Sequence, residues 1–224
     1  MTFSIAARDT VSGMFGVAVS SSSPAVAARC AHVRAGVGAV CSQNITDPRL
    51  GTALLDRLES GQFAEEAIAQ VVDAEPLISF RQLSAIGRWG APSAYSGSGV
   101  LGTHAVAYGM DCICCGNLLS SPRVPQAMVD AFSSESDLPF PARLIAAMQA
   151  AIAAGGEEGS VHSVGLLVVR DVPWPIVDLR VDWSDDPIGD LAALWELWEP
   201  QMEAYVTRAL NPGGAPSYGV PGDE

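Results

Sequence analysis

Residues 2–20, TFSIAARDTVSGMFGVAVS, contain the clearest structural pattern in the chain. Residues 3–8 are compatible with a β-strand, and residues 15–19 form a second apolar run with the period-2 alternation of a strand. Between them, residues 9–13 supply the Asp, Ser and Gly that favour a turn. The pattern predicts an antiparallel hairpin at the start of the chain.

Beyond this hairpin, strands are grouped with strands and helices with helices. Apolar residues at helical spacing predict helices over residues 48–59 and 64–73, and a long one over 190–210. Residues 25–34 are Ala-rich and follow Pro24, which favours a helix there too. Because strict strand–helix–strand alternation is missing, we predict an α+β fold with two layers of mostly antiparallel sheet covered by helices.

The length of 224 residues is compatible with one large domain or two small ones. No linker is visible in the middle of the sequence, so we predict a single domain over residues 1–210. Residues 211–224 are rich in Pro and Gly and are predicted to form an irregular tail.

The charge balance excludes several classes of function. With 12 basic and 25 acidic residues the net charge is −13, which argues against binding to nucleic acid or to an anionic membrane surface. The apolar runs are too short to span a membrane. The chain also contains no lysine, which excludes a Walker loop, a Schiff-base lysine, a Ser–Lys dyad and the kinase strand lysine.

The five cysteines do not have the spacing of a disulfide scaffold or of a zinc site. Cys112 and Cys114 would share one face of a strand, whereas Cys115 would point to the other face. Structural zinc requires four ligands, usually in two pairs, and no second pair is present. We therefore expect no metal and no cofactor. The start of the chain does not resemble a signal peptide, so we expect a cytoplasmic protein with reduced thiols.

Thr2 is the first candidate for catalysis. A small residue at position 2 generally permits removal of Met1, which would leave Thr2 with a free α-amine. A terminal threonine combines a hydroxyl nucleophile with an amine whose pKa of about 8 suits proton transfer at neutral pH. The alternative is that residue 2 simply begins a strand.

The sequence also resembles the domain-of-unknown-function 1028 family from residue 2 to about residue 200. The resemblance is carried by several short segments in the same order along the chain. These segments are Thr2-Phe3-Ser4-Ile5-Ala6-Ala7-Arg8-Asp9, Gly16-Val17-Ala18-Val19, Ala35-Gly36-Val37-Gly38-Ala39-Val40 with Gln43, Gly116-Asn117, Leu166-Leu167-Val168-Val169 and Val177-Asp178-Leu179-Arg180-Val181-Asp182.

That family is grouped with the N-terminal-nucleophile (Ntn) hydrolases. The resemblance implies a four-layer αββα sandwich with Thr2 at the start of a central strand. An acyl-transfer site also needs hydrogen-bond donors for the developing oxyanion. Asn117, in the family's Gly-Asn-Leu pattern, is the first candidate donor, and Gln43 at the end of a strand is the second. The alternative for Asn117 is a turn residue that caps the next helix, and the alternative for Gln43 is a structural role.

Further candidates are less specific. Ser21 follows the second strand, where Ntn enzymes place groups that contact the amine, although it could equally cap a helix. His104 follows a Gly-rich loop and matches a Gly-His position in family members. Asp178 and Arg180 alternate on a strand, so they share a face and either pair with one another or orient a substrate.

These observations lead to a hydrolase hypothesis and two alternatives. In the first, Thr2 attacks a small amide or lactam. In the second, the protein is a non-catalytic binding or structural member of the fold. A third hypothesis uses His104 as the general base in a different arrangement. We also predict a homo-oligomer, because Trp195 and Trp198 give the last helix more aromatic surface than one packing seam needs.

Overall fold

The structure of the protein is a computed structural model, and it describes residues 1–222. Within these residues the strands are β1 (Thr2–Arg8), β2 (Phe15–Ser21), β3 (Ala31–Arg34), β4 (Gly38–Asn44), β5 (Arg81–Gly87), β6 (Ser93–Ser96), β7 (Ala105–Tyr108), β8 (Cys112–Asn117), β9 (Ser163–Val169) and β10 (Val177–Val181). They form a six-stranded sheet of order β10-β9-β2-β1-β8-β7, called here the large sheet. A four-stranded sheet of order β3-β4-β5-β6 is called the small sheet.

The predicted hairpin is confirmed and forms the centre of the large sheet. β1 pairs antiparallel with β2, with Ala6 opposite Val17, and the turn between them includes Gly13 at φ 75°. On its other side β1 pairs antiparallel with β8. The first strand of the chain therefore has neighbours on both sides, and its first residue lies at one end of a central strand.

Helices cover the outer face of each sheet. In chain order they are α1 (Ala27–Cys30), α2 (Pro48–Glu59), α3 (Ala64–Ala74), α4 (Val124–Ser134), α5 (Phe140–Ala153), α6 (Pro187–Trp198) and α7 (Met202–Leu210). Apolar side chains of α2 and α3 pack on the small sheet, and those of α4, α5 and α6 pack on the large sheet. A third apolar cluster fills the space between the sheets. The predicted α+β, four-layer αββα arrangement is confirmed.

The prediction of a helix over residues 25–34 is correct only for residues 27–30. Only α1 is helical, and residues 31–34 form β3, which pairs with β4. The ring of His32 lies so close to Gly51 of α2 that a Cβ at residue 51 would be 2.1 Å from a ring carbon. Strand pairing and this close contact outweigh the helix propensity of an Ala-rich segment.

The last helix is interrupted at Pro200. α6 ends at Trp198, residues 199–201 form a 3₁₀ turn, and α7 follows. Proline has no N–H for the helical ladder and its ring collides with the preceding turn, which explains the break.

The aromatic residues that motivated the oligomer prediction pack within their own chain. Trp195 is buried, and the indole N–H of Trp198 donates to the carbonyl oxygen of Ile176 over 3.0 Å. In the predicted tail, the centroid of the Tyr218 ring lies 3.8 Å from the guanidinium carbon of Arg208. Oligomerisation therefore stays a prediction without this support.

The division at residue 210 is likewise a prediction, and residues 223–224 lie outside the described part. No helix within residues 1–222 is long and apolar enough to cross a membrane.

Candidate functional site

Thr2 lies at the first position of β1, and its side chain faces the space between the two sheets. It shares this face with Ala6, which belongs to the apolar cluster between the sheets. Across β8, the register partner of Thr2 is Asn117, the last residue of that strand. The register of β2 brings Ser21 alongside on the other side. The structure therefore brings Thr2, Asn117 and Ser21 together at one end of the inter-sheet space.

The carbonyl oxygen of Met1 accepts two hydroxyl hydrogen bonds at this point. The hydroxyl of Ser21 donates to it over 2.5 Å, and the hydroxyl of Thr2 donates to it as well. The Ser21 oxygen also accepts the backbone N–H of Ser23 at 3.1 Å, which closes a local turn. Both hydroxyl groups thus contact the peptide unit that must be cleaved to expose the Thr2 amine.

Deeper between the sheets, four buried polar side chains form a hydrogen-bonded chain. The hydroxyl of Ser4 donates to Gln43 Oε1 at 2.7 Å, and Gln43 Nε2 donates to Gln82 Oε1 at 2.8 Å. Asn117 Nδ2 donates to the same Gln82 oxygen at 3.2 Å. These bonds connect Gln43 to Asn117 through Gln82, so Gln43 belongs to the support of the site.

A backbone carbonyl fixes the direction in which these amides point. Gln82 Nε2 donates to the carbonyl oxygen of Gly116 at 3.1 Å and to the hydroxyl of Ser96 at 3.1 Å. Because a carbonyl oxygen can only accept, Gln82 must present its own oxygen to the other two amides. Asn117 therefore directs Nδ2 at Gln82, and its Oδ1 is buried with no hydrogen-bond partner among the described residues. Asn117 therefore has an acceptor, Oδ1, without a partner, and a second Nδ2–H besides the one that it donates to Gln82.

Sequence analysis missed Gln82 and Ser4. Gln82 shares a face of β5 with Ile86, which packs between the sheets, and Ser4 shares the inner face of β1 with Thr2. The available signal was a polar residue at an inward-facing strand position, since such a residue needs a buried partner.

Left-handed backbone marks the ends of both amide-bearing strands. Leu118, directly after Asn117, has φ 51°, and Asn44, directly after Gln43, has φ 73°. A left-handed leucine is uncommon and costs roughly 1–2 kcal/mol. The N–H of Leu118 donates to the carbonyl oxygen of Leu101 at 3.0 Å, which holds this sharp turn. The turn ends β8 at the residue that contacts Thr2.

Glu157 is a third residue that sequence analysis missed. Its carboxylate is buried near the chain terminus, where Oε2 accepts the N–H of Ser22 at 3.3 Å. Oε1 has no hydrogen-bond partner among the described residues. Burial raises the pKa of Glu157 from 4.5 to about 7, although the positive charge of the N-terminus opposes part of this rise. No motif around Glu157 signals this placement.

The raised pKa of Glu157 predicts a pH-dependent stability. Its proton is held more tightly in the folded state, so folding is favoured at low pH and loses this contribution as pH rises from 4.5 to about 7. We expect the free energy of unfolding of the wild type to fall by up to roughly 3 kcal/mol relative to Glu157→Gln over this interval. Urea denaturation of both proteins in the Met1-bearing form, at the two ends of the interval, measures this difference. Parallel pH dependences for the two proteins would contradict it.

Within residues 1–222, no hydrogen bond or ion pair joins the remaining candidates to Thr2. His104 is exposed, with Nδ1 3.3 Å from the carbonyl oxygen of Gly102. Asp178 and Arg180 share a face of β10 and form an ion pair of 3.0 Å with each other. Two strands separate β10 from β1, which is a distance of about 14 Å across the sheet.

The cysteines lie in the core. Cys112 and Cys114 pack against the helices that cover the large sheet, and Cys115 packs between the sheets, which confirms the predicted faces. Burial raises the pKa of the Cys115 thiol to about 12, so the thiol stays protonated at neutral pH and is a poor nucleophile. Within residues 1–222, no three His, Cys, Asp or Glu side chains lie close enough together to hold a metal ion.

Comparison with known proteins identifies the family. The model described as "Family of unknown function (DUF1028)" matches residues 2–191. The chain belongs to the DUF1028 family. Because that description assigns no activity, membership confirms the resemblance found in the sequence but names no reaction for this DUF1028 protein. No curated protein matches the chain.

Two solved structures are similar to this DUF1028 protein. One is the crystal structure of protein SPO2555 from Silicibacter pomeroyi, also described as DUF1028, with a TM-score of 0.80 and 32% identity over 87% of this chain and 88% of that chain. The other is Anbu (ancestral beta-subunit) from Yersinia bercovieri, with a TM-score of 0.40 and 11% identity over 91% of this chain and 97% of that chain. The first likeness agrees with the family assignment, and the second is too weak to bear on function.

Proposed function

We propose that this protein is an N-terminal-nucleophile amidohydrolase that acts on a small amide or lactam through Thr2 after removal of Met1. The observation that carries the proposal is the position of Thr2. It begins the central strand, is 5% exposed, and has Asn117 and Ser21 as its immediate neighbours on the adjacent strands. A terminal threonine in this position has a hydroxyl, an amine and polar neighbours in one place, which is what acyl transfer requires.

The proposed reaction proceeds through an ester of Thr2. The Thr2 oxygen bonds to the substrate carbonyl carbon while the α-amine takes the hydroxyl proton. The carbonyl carbon–nitrogen bond then breaks, and the departing nitrogen takes the proton from the ammonium group. Water, deprotonated by the same amine, attacks the ester, and the proton returns to the Thr2 oxygen as the acid leaves.

Polar neighbours have separate parts in this scheme. The free N–H of Asn117 is the proposed oxyanion donor, and its free Oδ1 is an acceptor for the Thr2 amine. The hydroxyl of Ser21, which donates to residue 1 in the Met1-bearing chain, is a second donor once Met1 is absent. Gln43 acts through Gln82 by holding Asn117 in place.

A second candidate function is a non-catalytic binding or structural protein of the same fold. It is favoured by the contacts of Met1, whose carbonyl oxygen accepts from both Thr2 and Ser21 and so satisfies both hydroxyl groups. In a chain that keeps Met1, the nitrogen of Thr2 is an amide and has no basicity for proton transfer.

Intact mass spectrometry with a β-lactone probe distinguishes the two functions. We expect untagged protein to lack Met1 and to gain the mass of one lactone, because attack by Thr2 opens the ring and leaves an ester without losing a group. Peptide mapping should place the added mass on residue 2. A chain that retains Met1 as isolated and takes up no lactone would favour the non-catalytic function instead.

A further inference from the structure

A cleft adjoins the N-terminus on the side of Glu157. It has a volume of about 290 Å³ and is lined by residues 152, 155–157, 159–161 and 185–188. Met1 lies at its edge, because a Cβ added at Gly159 would be 3.2 Å from the Met1 methyl carbon. The backbone of the same Met1 contacts Thr2 and Ser21. Met1 therefore contacts both Gly159 of the cleft lining and the hydroxyl of Thr2.

An unsatisfied carboxylate oxygen lines this cleft. Glu157 has a relative exposure of only 5%, and its Oε1 has no hydrogen-bond partner within residues 1–222. Its other oxygen accepts a single N–H, from Ser22. A buried carboxylate with an open oxygen is costly unless a donor or a positive charge meets it. The charge of the Met1 ammonium acts on Glu157, but the ammonium donates no hydrogen bond to Oε1.

The surroundings of Glu157 favour a cation. Among the described residues that line the cleft, Asp185 and Asp186 add two carboxylates and none is Arg. The positive end of α6 also opens here, but Asp186 caps it by accepting the N–H of Gly189 at 3.1 Å, and Pro187 has no N–H. Ile152 and Ile188 also line the cleft, so its lining combines carboxylates with apolar side chains.

We propose that this cleft binds the part of the substrate that carries a primary ammonium group, with Glu157 as its counter-ion. The inference rests on the proposed function, because it names the class of substrate that Thr2 would receive: a small amide with an amine a few bonds from the scissile carbonyl. The cleft is at the small end of the range of ligand pockets, about 300–1,000 Å³, which excludes a large peptide.

Binding to an inactive protein separates this inference from the proposed function. The Met1-free Thr2→Ala protein is titrated with 4-aminobutanamide and with pentanamide, which replaces the ammonium by a methyl group of similar size. The titrations are followed by calorimetry or ligand-observed NMR at a pH of about 8.5, where the ammonium is charged. We expect 4-aminobutanamide to bind about tenfold more tightly, as one charge-assisted contact to a buried acceptor allows.

The additional replacement Glu157→Gln should abolish this preference, whereas Glu158→Gln, at the exposed neighbouring position, should keep it. Equal binding of both amides, undetectable binding of both, or a preference that survives Glu157→Gln would overturn the inference. Lactone labelling of Thr2 without an ammonium preference would leave the hydrolase proposal intact and remove only this one. An ammonium preference in a protein that the lactone does not label would support the ammonium site and count against the hydrolase proposal.

Discussion

Replacing Thr2 with Ala is expected to lower the rate of β-lactone acylation by about 10³-fold or more, because it removes the nucleophile itself. Alanine is also small, so Met1 removal should continue and the α-amine should remain. The rate is measured as the growth of the acylated mass with time. Thr2→Ser is the matched variant, since it keeps the hydroxyl and should retain most of the rate.

Two further measurements make this prediction specific to Thr2. A chain that retains Met1 should react as slowly as Thr2→Ala, because an amide nitrogen cannot take the hydroxyl proton. His104→Ala should react at the wild-type rate, since His104 is exposed and contacts the carbonyl of Gly102. Undiminished acylation of Thr2→Ala would place the nucleophile elsewhere, and a slow His104→Ala protein would favour the hypothesis of a histidine base.

The position of Thr2 could be predicted because it depends on a local pattern. Two apolar runs around a turn specify the hairpin, and period-2 alternation specifies which side chains of β1 share a face. The pairing with β8 places Asn117, a candidate taken from the family's Gly-Asn-Leu pattern, next to Thr2. By contrast, residues 25–34 have a strong local helix preference that strand pairing overrides at β3.

Contacts between distant segments could not be read from the sequence. Asp178 and Arg180 do share a face, but alternation does not give strand order, and the order of the large sheet puts β10 away from β1. Gln82 and Glu157 lie 80 and 155 residues after Thr2 in the sequence (82 − 2 and 157 − 2). Their importance comes from a hydrogen-bond pattern and from burial, which only the folded chain defines.

Replacing Gln82 with Leu is expected to destabilise the protein by about 3–5 kcal/mol. Gln82 is fully buried and makes four side-chain hydrogen bonds, two as donor and two as acceptor. Leucine fills a similar volume but removes the acceptor of the Gln43 and Asn117 amide nitrogens and the side-chain donor to the carbonyl of Gly116. Each buried group left unsatisfied costs about 1–3 kcal/mol, and the apolar side chain offsets part of the sum.

Urea denaturation measures this effect, and Gln70→Leu is the matched control. Gln70 lies on the exposed side of α3, so the same substitution there should change the free energy of unfolding by less than about 0.5 kcal/mol. A loss at residue 82 no larger than at residue 70 would mean that the neighbouring amides find other partners, and the fixed orientation of Asn117 would then be wrong.

Gln82→Glu tests that orientation more directly. When protonated, the introduced carboxyl can still accept from Gln43 and Asn117 with one oxygen and donate to the carbonyl of Gly116 with the other. When ionised, it can no longer donate and presents negative charge to that carbonyl oxygen. We therefore expect Gln82→Glu to be closer to wild type in acid and to lose stability as pH rises, in urea melts corrected for the wild-type pH dependence. If the amides were reversed, with the oxygen of Asn117 directed at residue 82, a protonated carboxyl could serve only one such acceptor, and the acid form would gain no comparable recovery.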